Sequence, residues 1–84
     1  MRYKTMPSVE QLCADFSVGA LTVVAHQPEG WRNGKGKEFV IYKTDTDQIV
    51  TMRNDRTSVL AWMPDCTLDH FLNVNPNLRK FLVN

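Results

Sequence analysis

Glu38-Phe39-Val40-Ile41-Tyr42-Lys43-Thr44-Asp45-Thr46-Asp47-Gln48-Ile49-Val50-Thr51-Met52-Arg53 places two runs rich in β-branched and aromatic residues around a polar centre. Residues 38–43 and 48–53 read as strands, because such side chains fit a pleated, half-buried surface. Thr44, Asp45, Thr46 and Asp47 between them carry short polar groups that bond to nearby backbone and favour a turn. The unit is therefore an antiparallel hairpin. Its apolar residues do not alternate with polar ones: Phe39 and Ile41 point one way, Val40 and Tyr42 the other. Both faces of the sheet must be covered.

Downstream, Asn54, Asp55 and Arg56 form a turn and residues 57–63 supply another strand, stopped by Pro64 and Asp65. Val59 and Ala61 again oppose Leu60 and Trp62. Upstream, residues 20–27 read as a strand broken by Pro28, Glu29 and Gly30. Before it, Ser8 caps a helix and Gln11 is its capping-box partner, with Val9, Leu12, Cys13 and Phe16 on one face. This helix spans about three turns and ends near Gly19. Thr67 caps a short turn through Leu72, and Asn75 with Pro76 starts a last one that carries Leu78, Phe81 and Leu82 on one face.

The expected fold is α+β over residues 1–84 as a single domain: an N-terminal helix on an antiparallel sheet of about four strands, with short C-terminal helical turns. One short helix covers one sheet face. The other face must meet the C-terminal segment or another subunit, and a homo-oligomer, dimer or tetramer, is expected on that ground.

The composition agrees with a small globular domain, at 84 residues with 43% hydrophobic and 23% charged. A chain of this size buries only roughly 60–65% of its unfolded surface, so the core is thin. Ten Lys plus Arg against nine Asp plus Glu leave a formal charge of +1, which gives no global field to steer nucleic acid or an anionic membrane. Apolar runs fall far short of the ~20 residues that span a bilayer, and there is no signal-peptide core. A cytoplasmic location without membrane partners is expected. Cys13 and Cys66 are expected as structural thiols, since cytosolic disulfides are rare.

Between the strands, Trp31, Arg32, Asn33, Gly34, Lys35 and Gly36 combine glycines, cations and an indole. Glycine amides can approach an anion closely and tryptophan offers a stacking face, which are the parts of a nucleotide site. The same residues also read as a long exposed hairpin loop, with Asn33-Gly34 as its turn and the cations solvated. No Gly-Lys-Ser/Thr closes the loop, so it is not a Walker A element.

A second cluster runs from Trp62 through Pro64, Asp65, Cys66 and Thr67 to Asp69. Asp65, Thr67 and Asp69 could bond ribose hydroxyls while Trp62 walls a base; equally, Asp65 or Thr67 could cap the next helix and Trp62 fill the core. Cys66 and His70 have metal-like spacing, but Cys13 and His26 make a poor second pair, so no metal or cofactor is expected. Neither His26 nor His70 has a motif-strength nucleophile or base beside it, and an enzyme is not expected. Arg32, Lys35 and Lys37 with Trp31, Phe39 and Tyr42 form a small basic-aromatic patch, too weakly charged for strong phosphate-driven nucleic-acid binding.

Together these blocks resemble the small phage anti-Thoeris proteins, sponges that bind and sequester cyclic-ADP-ribose-type immune signals. The matching residues are Trp31, Asn33, Gly34, Lys35 and Gly36, then Ile49 and Met52, then Trp62, Pro64, Thr67 and Asp69. The chain departs from the pattern at Arg32, which is inserted, at Asp65 in place of a serine-like residue, at Leu68, which displaces Asp69 by one, and in a longer segment between Gly19 and Trp31. The resemblance implies an α+β homotetramer holding a cyclic adenine nucleotide between protomers without hydrolysis. Trp31 and Trp62 would stack on the base, Arg32, Asn33, Gly34, Lys35 and Gly36 would hold the pyrophosphate, and Asp65, Thr67 and Asp69 the ribose. The alternative is a small inhibitor acting by protein contact, of anti-CRISPR or host-takeover type, with a weak nucleic-acid binder third.

Overall fold

The computed structural model describes residues 1–31, 37–55 and 57–83. In chain order they form β1 (Arg2–Tyr3), α1 (Val9–Phe16), β2 (Leu21–Gln27), β3 (Glu38–Thr44), β4 (Ile49–Asn54), β5 (Val59–Trp62), α2 (Leu68–Val74) and a 3₁₀ helix (Pro76–Phe81). The five strands make one antiparallel sheet in the order β1-β5-β4-β3-β2. The α+β class holds, but the sheet has five strands where about four were expected, and a strand precedes the first helix.

That extra strand has no periodicity to read, being two residues long. It is held by pairing: Arg2 faces Leu60 and Tyr3 faces Val59. The chain's terminal ammonium donates to Ala61 O at 2.6 Å, and the Tyr3 hydroxyl donates to Asp15 Oδ2 on α1 at 2.7 Å.

The central hairpin has the register the turn residues dictate, from Lys43 opposite Ile49 to Phe39 opposite Arg53. Thr44 Oγ1 accepts from the N–H groups of Thr46 at 3.2 Å and Gln48 at 3.0 Å, and Asp47 takes a left-handed φ of 61° to close the turn.

α1 is shorter than expected, about two turns rather than three. Ser8 Oγ caps it by accepting from Gln11 N–H at 3.1 Å. The residue that ends it is Ser17, left-handed at φ 56°, and not Gly19. Gly19 answers a different need, because a Cβ there would come within 2.5 Å of the Asp45 carboxylate in the hairpin turn.

Strand β2 carries one extra residue: Val23 pairs with Tyr42 and Ala25 with Ile41, leaving Val24 bulged. Before the bulge, Leu21 packs on the α1 side of the sheet; after it, Ala25 belongs to the opposite side and Gln27 stands opposite Phe39.

Each sheet face has its own core. On one, Leu12 of α1 packs with Val40, Tyr42, Val50, Met52, Val59 and Ala61. On the other, Leu72 of α2 and Leu78 of the 3₁₀ helix pack with Ala25, Ile41 and Ile49. The expectation that both faces of β3 and β5 are apolar is thus correct, and the second face is met by the chain's own C-terminal segment. An uncovered apolar face no longer argues for a homo-oligomer. Beyond the 3₁₀ helix, Leu82 bridges Ala25 and Val83 N–H donates to Val24 O at 2.9 Å, starting a sixth row on the β2 edge.

Candidate functional site

Where the C-terminal elements lie over the sheet they leave a cleft of about 570 Å³. Its floor is the sheet: Gln27 of β2, Phe39 of β3, Arg53 of β4 and Trp62 of β5. These four share one face because of the hairpin register and the β2 bulge. Phe71 and Val74 of α2 form one wall, the start of the 3₁₀ helix with Asn75 and Asn77 another, and Trp31 a third.

The aromatic residues hold one another in place. Phe39 meets Trp62 edge to face with centroids 5.8 Å apart, and stacks on Phe71 at 6.2 Å with planes 26° apart. Trp31 is backed by Phe81 of the 3₁₀ helix, edge to face at 5.1 Å. Such offset and edge-on contacts are worth about 0.5–1.5 kcal/mol each beyond the area they bury.

The polar side chains are also fixed. Arg53 Nε lies 3.2 Å from Asp55 Oδ1, and Lys37 Nζ lies 3.1 Å from the same oxygen. The Lys37 ammonium holds the Asp55 carboxyl below its ordinary range, with Arg53 acting the same way against an opposing desolvation. Among the described residues, Asp55 is therefore an anion shared by two cations, and these three groups together carry one net positive charge. Gln27 Nε2 donates to Lys37 O at 2.7 Å, tying the end of β2 to the residue before β3. Asn75 Nδ2 donates to Phe71 O at 3.1 Å, which leaves its amide oxygen for other partners. The His26–Glu38 pair, 2.9 Å apart, belongs to the opposite face of the sheet, since His26 is paired with Val40.

Of the residues singled out in the sequence, Trp31 and Trp62 are brought to the same cleft across 31 positions. Arg32, Asn33, Gly34, Lys35 and Gly36 lie outside the described residues. Asp65, Thr67 and Asp69 do not line the cleft: Thr67 Oγ1 accepts from His70 N–H at 3.2 Å as the cap of α2, Asp69 sits exposed in its first turn, and Asp65 is exposed. Arg53, Phe71, Asn75, Asn77 and Gln27 are cleft residues that no motif marked. The hairpin register could have pointed to Arg53, because a turn centred on Thr46 pairs it with Phe39.

Cys13 and Cys66 are both free; Cys66 packs beside the Leu72 core and Cys13 lies on α1, over the other face. Among the described residues, no three His, Cys, Asp or Glu side chains are grouped to hold a metal. No helix among them is long and apolar enough to cross a membrane.

The arrangement suits a planar ring held between aromatic side chains, an oxyanion beside a guanidinium, and hydrogen-bonding edges met by amides. Among the described residues, the lining holds no carboxylate, histidine, cysteine or hydroxyl side chain. Comparison with family models, with curated proteins and with solved structures finds no match.

Proposed function

We propose that this protein is a non-hydrolysing sponge that binds a cyclic adenine-nucleotide immune signal and keeps it from its effector, acting in the cytoplasm of a phage-infected cell. The observation that carries the reading is the meeting of Trp31 and Trp62 in one cleft with Arg53 on its floor. An adenine ring would lie against the indoles, its phosphates toward Arg53, and its ribose and base edges toward Gln27, Asn75 and Asn77. Arg32, Asn33, Gly34, Lys35 and Gly36 enter the proposal on sequence alone, as further pyrophosphate contacts. Asp65, Thr67 and Asp69, which stand outside the cleft lining, enter it as ribose contacts on sequence alone. A homo-oligomer is part of the proposal through the family resemblance only.

The test is to heat-denature the purified protein, look for released adenine nucleotide by mass spectrometry, and follow thermal unfolding with added cyclic ADP-ribose. Ligand at a hundred times its dissociation constant stabilises the fold by about 2.7 kcal/mol, which for a domain of this size is a rise of roughly 10 °C or more. No released nucleotide and no such rise would remove the proposal. A second reading, an inhibitor acting by protein contact, is favoured by Val74, a cleft residue that is 65% exposed.

A further inference from the structure

Arg53 is placed by three independent features. The hairpin register sets it beside Phe39, the sheet parity turns it into the cleft, and Asp55 Oδ1 lies 3.2 Å from its Nε as an ion pair without hydrogen-bond alignment. A guanidinium with a carboxylate beside its Nε keeps its two terminal nitrogens as a fork, the geometry that suits a two-oxygen contact with phosphate or carboxylate. Lys37 Nζ lies 3.1 Å from the same Asp55 oxygen, so Asp55 balances only one of these two cations. Among the described residues, the lining contains no acid to repel an anion.

We infer that Arg53, oriented by Asp55, is the anion-binding group of the cleft, and that its ligand is a planar aromatic ring bearing an oxyanion. The inference rests on the sponge reading only for the ring being adenine. Arg53 is a binding residue and Asp55 a positioning residue.

Tryptophan fluorescence titrations would use two probe sets: AMP with adenosine, and 1-naphthyl phosphate and 1-naphthoate with 1-naphthol. The wild-type protein should prefer the charged member of a set by about tenfold or more, as charge-assisted bidentate bonds require. Arg53→Gln should bring that preference close to one while leaving the uncharged probe's affinity within about twofold. Arg53→Lys, which keeps the charge and loses the fork, should retain only part of it.

Asp55→Asn separates positioning from simple charge. If Asp55 aims the guanidinium, the variant binds the anionic probes more weakly; if the bare positive field governs, removing a negative charge makes them bind more tightly, and the positioning role is overturned. A preference that survives in a folded Arg53→Gln, checked by circular dichroism, would place the anion elsewhere and end the inference. Binding of the naphthyl anions through Arg53 with no response to AMP or cyclic ADP-ribose would leave the inference standing and remove the adenine sponge. No binding of any probe would overturn both.

Discussion

Phe39 and Trp62 belong to strands separated by β4, yet their rings meet above it edge to face, with centroids 5.8 Å and planes 78° apart. The β4 residue opposite Trp62 is Thr51, fully buried, whose hydroxyl donates to Trp62 O at 3.1 Å. A small side chain in that row leaves space for the two rings to close over the strand. The cleft floor is thus an aromatic bridge across the sheet.

That bridge should be measurable as a coupling. In a double-mutant cycle of Phe39→Leu and Trp62→Leu, followed by denaturant unfolding, the interaction energy should be about 0.5–1.5 kcal/mol. Strict additivity of the two substitutions would mean that the rings are merely neighbours.

At the opposite edge, Tyr3 should make the fold sensitive to alkali. Burial, then the hydrogen bond to and charge of Asp15, push its pKa up to about 12 from 10.0. Above the unfolded value the unfolded chain has released this proton while the folded chain keeps it, so the contribution is complete below pH 10 and is lost as pH rises toward 12. Tyr3→Phe should cost about 0.5–1.5 kcal/mol at neutral pH, the net worth of a hydrogen bond, and flatten that alkaline decline. An equally steep decline in the variant would assign it to other groups.

Strand β1 illustrates why part of the fold was not legible in the sequence. The strands 38–43 and 48–53 announce themselves by residue type and by the turn between them, and the two apolar faces follow from their unbroken hydrophobic runs. Arg2 and Tyr3 have no such signature; their strand exists because Val59 and Leu60 offer an edge. The cleft divides in the same way. Trp31 and Trp62 stood out as rare residues in polar or turn-ending contexts, whereas Arg53, Gln27 and Phe71 acquire their role only from register, bulge and helix packing, which are long-range facts.

Thr67 can be assigned to structure or to ligand by one substitution. Thr67→Ala removes the oxygen that accepts from His70 N–H and should lower stability by about 1 kcal/mol, while Thr67→Ser should restore it. Affinity for cyclic ADP-ribose unchanged in a folded Thr67→Ala protein would make Thr67 a cap alone. A loss of affinity in the alanine variant, regained in the serine one, would support a ribose contact.

The end of α1 offers a gain of stability. Ser17 holds a left-handed φ of 56°, which costs about 1 kcal/mol for a residue with a Cβ and little for glycine. Ser17→Gly should therefore raise the melting temperature by roughly 4 °C, since each kcal/mol moves a domain of this size by that much or more. A fall in melting temperature would show that the serine side chain offsets the strain of its backbone.

The bulge at Val24 acts on the strand as a frameshift acts on a message. Beyond it, every side chain of β2 is delivered to the opposite side of the sheet, which is why the amide of Gln27 and not the imidazole of His26 borders the cleft. A ladder running on without the bulge from Val23 opposite Tyr42 would set His26 opposite Phe39 and turn its imidazole to the cleft, whereas deleting Val24 would keep Gln27 in that place. The one extra residue therefore decides that an amide and not an imidazole borders the cleft, with the aromatic frame unchanged.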